Sequence, residues 1–241
     1  MVRRTRRSPW VFLLGGLLPG CICAYPQTIV GSGVPENEAR TVGAFKRVRV
    51  EGGVTATVLT GQRNVKLTAD SNLLQYIETY VESGEVFVAR VRPDVTLAPV
   101  VGLKLEVTND AVEGLELQTG SRAVATATPV SLFRLVASGG SSGTVTGVAS
   151  TQLEVSATEA STAIAAGLAT SVNASAQDDS VIDVQGVAAS AVNVSGSNRA
   201  RLTVRASTQV TGALTGASAL VVYGGATVTV DKSADSTIEA K

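Results

Sequence analysis

The 241-residue chain contains no histidine. That absence removes the commonest general base and the commonest metal ligand near neutral pH, and it excludes a Ser-His-Asp triad. Aromatic residues make up only 4% of the sequence, and the single tryptophan, Trp10, sits near the N-terminus. After Phe133 the only aromatic is Tyr223, so platforms for stacking sugars are scarce. Both cysteines, Cys21 and Cys23, lie near the start, which leaves the rest without a disulfide framework or a thiolate metal site. The only lysines after Lys104 are Lys232 and Lys241, too few to supply a Ser-Lys pair across the many serines. No basic stripe interleaved with aromatics occurs, so nucleic acid is not an expected partner.

What is present is small, β-favouring and repetitive. The chain is 44% hydrophobic with 24 Gly, and Val, Ala, Ser and Thr dominate, a profile that suits short strands and tight turns. Apolar pairs recur at Phe133/Leu135, Leu153/Val155, Val172/Ala174, Val192/Val194, Val210 and Val228/Val230, their first members spaced 20, 19, 20, 18 and 18. A second series, Val145, Ile164, Ile182, Leu202, Leu220 and Ile238, falls between them with spacings 19, 18, 20, 18 and 18. From Val172 onward it follows the first by ten residues each time.

The N-terminus has a different character. Arg3, Arg4, Arg6 and Arg7 precede an apolar run of nine residues, Trp10–Leu18, short of the roughly 20 needed to cross a bilayer. With those four of the 20 basic residues set aside, 16 remain against 20 acidic ones, so the chain from Cys21 onward is about −4. Residues 1–20 read as an export signal. Leu18-Pro19-Gly20-Cys21 resembles a bacterial lipobox, although Pro19 departs from the usual small residue. The expectation is a lipid on Cys21 and, with Ile22 rather than Asp following, sorting to the outer membrane. The alternative is cleavage near Ala24, giving a periplasmic or secreted protein. Residues 21–40 read as a tether, and residues 41–241 as one domain, with N-terminal strands over 41–120 and repeat coils over 121–241. Asp70-Ser71-Asn72 before Leu73-Leu74 predicts one short helix among those strands.

Gly31-Ser32-Gly33, Arg40–Val48, Ala69–Leu74 and Ile77–Gly84 together resemble the bacterial head GIN domain family. Its members are described as putative autotransporter adhesins of unknown biochemical function. The resemblance spans roughly residues 29–241. It implies a pectin-lyase-like β-helix without the catalytic residues of the enzymes of that shape. The sequence ends still within its period, so a C-terminal translocator barrel and self-export are not expected.

A period near 20 with two apolar strands per turn predicts an all-β fold, a flattened two-sheet parallel β-helix capped by an N-terminal β-rich part. Leu153, Val155, Val172, Ala174, Val192 and Val194 are expected inward on one sheet. Ile164, Ile182, Val184, Leu202, Val204, Leu220 and Val222 are expected inward on the other. Gly147, Gly167, Gly186 and Gly224 are expected at turns with positive φ. Outward, Asn173 is expected over Asn193, and Ser156, Ser175 and Ser195 in one column.

Asp178, Asp179 and Asp183 form the densest acidic group and are the only, weak, candidates for calcium. Ion pairing of Asp179 with Arg199, and of Asp183 with Arg201, accounts for them more simply. The remaining acids are scattered, so no carboxylate pair stands out for glycoside chemistry. The reading is therefore non-enzymatic, with no catalytic residues and no cofactor: an adhesive or structural protein of the cell envelope. It would meet an unknown protein or glycan there and touch the membrane only through a lipid anchor. A carbohydrate-binding or carbohydrate-active β-helix is the alternative, and a periplasmic signalling partner a third.

Overall fold

The computed structural model describes residues 27–241. The expected signal, the lipobox and Cys21 lie outside the described residues. Two strands of the predicted alternation, β3 (Arg47–Glu51) and β4 (Thr55–Thr60), meet at the Gly52-Gly53 turn; they follow β1 (Gln27–Val30) and β2 (Pro35–Ala39). The chain then makes β5 (Asn64–Asp70), β6 (Ile77–Glu82), β7 (Val86–Val91), β8 (Val95–Ala98) and β9 (Lys104–Asn109). From β10 (Gly114–Gln118) and β11 (Arg122–Thr126) it climbs as a right-through parallel stack. The stack continues with β12 (Val130–Ala137), β13 (Ser142–Ala157), β14 (Thr162–Gln177), β15 (Val181–Ser197) and β16 (Arg201–Leu214), and closes with β17 (Ala219–Tyr223), β18 (Thr227–Lys232) and β19 (Thr237–Ala240).

The expected all-β parallel solenoid is what forms. One inward column runs Val48, Leu115, Leu135, Val155, Ala174, Val194. The facing column ends Ile182, Leu202, Leu220, Ile238. Long strands such as β13 bend around corners, and the alternation slips at Val145/Val148, so a short third side of about three residues joins the two main faces. Large inward residues face small ones. A Cβ on Gly143 would stand 2.9 Å from Leu117 Cδ1 and 3.1 Å from Leu135 Cδ1, which is the interdigitation a dense core requires.

The expected N-terminal β-rich part is present and larger than a cap alone, and four other expectations need correction. The N-terminal strands are more than a cap: β3 and β4 are full members of the stack, with β7 parallel to β3 and β9 parallel to β4 on the side away from β10 and β11. The cap itself is antiparallel, made by β6 on β7, β5 on β9 and β2 on β5. The edge strand β2, Pro-Glu-Asn-Glu-Ala, is exposed and acidic, the composition that discourages edge-to-edge pairing. The short helix is only a 3-10 turn, Leu74–Tyr76, too brief to complete an α-helical turn.

Ile164 is not inward. Its neighbours Ala163 and Ala165 are buried and it is 37% exposed, paired outward with Thr144 and Asp183. A one-residue shift reverses every side chain of a strand, and the space between the columns at this level takes alanines. Gly186 lacks the positive φ found at Gly147, Gly167 and Gly224; its place is fixed by crowding, since an added Cβ would lie 3.0 Å from Ala166 Cβ.

The fourth correction concerns residues 27–39, expected as tether. β1 pairs in parallel with β8, and β2 runs antiparallel to β5. Buried Asp70 holds this segment down. Its carboxylate accepts from Gly33 N at 2.6 Å, Val100 N at 3.0 Å and Val101 N at 3.1 Å. Asn72 Oδ1 accepts from Ser32 N at 2.8 Å, and Asn72 Nδ2 donates to Val30 O at 2.8 Å. The segments Gly31-Ser32-Gly33 and Asp70-Ser71-Asn72 thus form one clasp. Gly31 tolerates no side chain, because its Cβ would meet the Asp70 carboxyl at 2.5 Å. Burial pushes the Asp70 pKa up, but the N–H groups of Val101, Gly33 and Val100 outweigh it and hold the group below the usual carboxylate range.

Candidate interaction face

Each coil turns sharply between its two main faces on a pair of left-handed residues. Glu159-Ala160, Asp178-Asp179 and Asn198-Arg199 all have φ of 54–64°. Such residues carry a backbone cost without glycine, offset here by amides stacked coil on coil: Ala160 N donates to Asp178 O at 2.8 Å, and Asp179 N to Asn198 O at 2.9 Å. Just inside the turns runs a column of buried serines, Ser121, Ser141, Ser161, Ser180, Ser218 and Ser236, interrupted by Ala200. Ser141 N donates to Ser161 Oγ and Ser161 N to Ser180 Oγ, both at 3.1 Å. Sequence reasoning missed this ladder, although the spacing of these serines follows the coil period.

The turns separate the three candidate acids. Asp178 accepts from Asn198 Nδ2 at 2.8 Å, and Asp179 forms a two-pronged ion pair with Arg199, Nε to Oδ1 at 2.7 Å. The Arg199 hydrogen bond is the main cause of the lowered Asp179 pKa. Asp183 lies past the turn on the next face and accepts from Gln185 N at 3.1 Å and Gln185 Nε2 at 3.3 Å. It forms no ion pair with Arg201 among the described residues. No group of three His, Cys, Asp or Glu that could hold a metal occurs among the described residues.

The outer face of β12–β16 carries two stacked columns. One reads Arg134, Glu154, Asn173, Asn193, Thr211, and its neighbour Val136, Ser156, Ser175, Ser195. Asn173 lies over Asn193, and the three serines share a column, as expected. Parallel strands about 4.8 Å apart bring like side chains into register. Between these columns lies a shallow groove of about 230 Å³.

Toward the cap the same two columns become charged and self-paired. Arg134 Nε donates to Glu154 Oε2 at 2.6 Å, and Arg49 Nε to Glu116 Oε2 at 2.7 Å. Partial burial alone would lower the Arg49 pKa; the carboxylates of Glu116 and Glu82 outweigh it and raise it. Charges at this end are therefore satisfied internally. The middle of the face offers neutral amides and hydroxyls, and Ser156, Ser175 and Ser195 bond to no other side chain among the described residues.

The described residues thus form a parallel β-solenoid with a regular, neutral hydrogen-bonding face. The chain belongs to the family described as "Putative auto-transporter adhesin, head GIN domain", whose profile matches residues 44–226. Solved structures share the fold at low identity. A putative adhesin from Bacteroides fragilis superposes with a TM-score of 0.79 at 13% identity, covering 88% of this chain and 100% of its own. A putative adhesin from Parabacteroides merdae gives 0.68 at 16%, covering 89% and 99%. A putative lipid binding protein from Parabacteroides distasonis gives 0.68 at 14%, covering 89% and 100%. No curated protein shows a significant match.

Proposed function

We propose that this is a non-enzymatic, lipid-anchored protein of the cell envelope that makes adhesive contacts through the Asn173/Asn193 and Ser156/Ser175/Ser195 face. The observation that carries the reading is that face: columns of amides and hydroxyls in register, flanked by charges already paired with one another. A partner laid along the stack meets serine hydroxyls on three successive coils and asparagine amides on two, so several weak hydrogen bonds add in one orientation. Family membership supports the adhesion-type role.

The anchor is Cys21. The first described strand begins at Gln27, six residues later, and six residues span at most about 20 Å. The domain is thus held against the membrane rather than at the end of a long stalk. Metabolic labelling with a palmitate analogue tests this part: the wild type is marked and Cys21→Ala is not, and equal labelling overturns the anchor. A photo-crosslinking residue at Ser175 in living cells tests the face. It is expected to trap a partner that the same residue at Thr144, on the other main face, does not. Equal adducts from both faces, or none from Ser175, overturn the assignment.

A further inference from the structure

The girth of the solenoid varies by one residue at the β13/β14 and β14/β15 levels and drops by two at β15/β16. From Asp183 to Val192 the chain takes nine steps, whereas from their partners Thr203 to Val210 it takes seven. Both missing residues come from the short third side, and the following coil keeps the smaller girth, with Thr203 over Val221 and Val210 over Val228. The β15 coil therefore overhangs β16 and leaves a notch of about 410 Å³, lined by Ser190, Arg205, Ser207 and Gly224. Gly224 packs directly on the adjoining backbone, since a Cβ there would lie 2.5 Å from Ala206 O.

Arg205 lines the notch, with Tyr223 beside it in register on the next strand. Its Nε donates to Gln185 O at 3.0 Å, which fixes the plane of the guanidinium. It takes part in no ion pair among the described residues, in contrast with Arg47, Arg49, Arg90, Arg92, Arg134 and Arg199. Asp183, two residues before Gln185 on the strand, is already held by the Gln185 amide. Tyr223 pairs with Arg205 on the adjoining strand. The Lys241 ammonium stands 5.9 Å from its ring centroid and also pairs with Glu239 at 3.4 Å.

We propose that this notch binds a sugar residue bearing a carboxylate or a sulfate. The free edge of the Arg205 guanidinium presents a planar fork that matches either oxyanion. The hydroxyls of Ser190 and Ser207 face the ring hydroxyls of the sugar. Tyr223, the one aromatic after Phe133, lies beside that fork, where one ring face can pack against a pyranose. The site is separate from the Asn/Ser face, so each stands or falls alone.

Isothermal titration of the full chain tests it with three tetrasaccharides: hyaluronan, which carries carboxylates; κ-carrageenan, which carries sulfates and no carboxylate; and uncharged chitotetraose. At least one anionic probe is expected to bind at least tenfold more tightly than chitotetraose. Binding by hyaluronan alone assigns the carboxylate, and by carrageenan alone the sulfate. Arg205→Gln is expected to weaken that binding at least tenfold, and Arg205→Lys to retain part of it, with thermal unfolding unchanged in both. Arg122→Gln, at an exposed arginine several coils away, is expected to bind as the wild type does. The proposal is overturned if neither anionic probe saturates, if chitotetraose binds equally, or if Arg205→Gln leaves affinity intact.

Discussion

Replacing two isoleucines that occupy similar places in the repeat separates the observed register from the one the periodicity suggests. Ile182 is fully buried, stacked between Ala163 and Leu202. Ile182→Ala removes three carbons, about 2.4 kcal/mol of transfer free energy at about 0.8 per carbon. The cavity left in a packed column raises the cost to about 3–4 kcal/mol. Ile164 is 37% exposed on the outer face, where solvent fills the space its side chain leaves, so Ile164→Ala is expected to cost about 1 kcal/mol. For a domain of this size 1 kcal/mol corresponds to about 2–4 °C. The expected losses in melting temperature are therefore about 6–16 °C for Ile182→Ala and about 2–4 °C for Ile164→Ala, read by calorimetry or circular dichroism. Equal losses, or a larger one at Ile164, would refute the inward placement of Ala163 and Ala165 and with it the register of β14.

Other positions give independent tests. Ala200→Ser fills the gap in the serine ladder and offers Ser180 N an acceptor; melting is expected to rise by about 1–4 °C, and a fall would show that the column has no room. In Gly212→Ala the new Cβ is driven onto Val194 O from a backbone at φ 134°. A loss of at least about 3 kcal/mol is expected, and near-neutral unfolding in guanidinium would contradict the close approach. The clasp predicts acid sensitivity. The Asp70 pKa is lower folded than unfolded, so its contribution is full above the ordinary carboxylate pKa of about 4 and disappears as pH falls through the depressed folded value. Relative to its intrinsic rate at each pH, hydrogen exchange at Gly33, Val100 and Val101 is expected to quicken in acid for the wild type. In Asp70→Asn it should already be quick at pH 7, and protection that is the same in both proteins would show that the carboxylate does not hold the loops.

How much was legible in advance differs from one element to the next. Two apolar series ten residues apart were enough to specify stacked coils, because no coil can bury its apolar face except against another. Asn173 over Asn193, the serine column at Ser156, Ser175 and Ser195, and the Asp179–Arg199 pair all followed from the period, since a parallel stack converts sequence spacing directly into neighbours. The serine ladder was equally available in the spacing and was overlooked because serine is not a core residue by type. The overhang above Arg205 was present as the change from a 20-residue to an 18-residue spacing, yet the spacing alone could not say which side of the coil lost the two residues.

By itself the sequence determined the solenoid, its approximate girth and the composition of its faces. The tertiary structure alone decided the phase of β14 and the topology of the cap, in which β5–β9 leave and rejoin the stack. It alone decided the folding of residues 27–39 onto the body. Each of these rests on choices that local pattern leaves degenerate. A bend lets a two-residue alternation slip by one, so the phase that puts Ala163 and Ala165 inside and Ile164 outside is chosen by packing within the stack. A carboxylate such as Asp70 reads as a surface residue until the backbone amides of Gly33, Val100 and Val101, 37, 30 and 31 residues away, are brought around it.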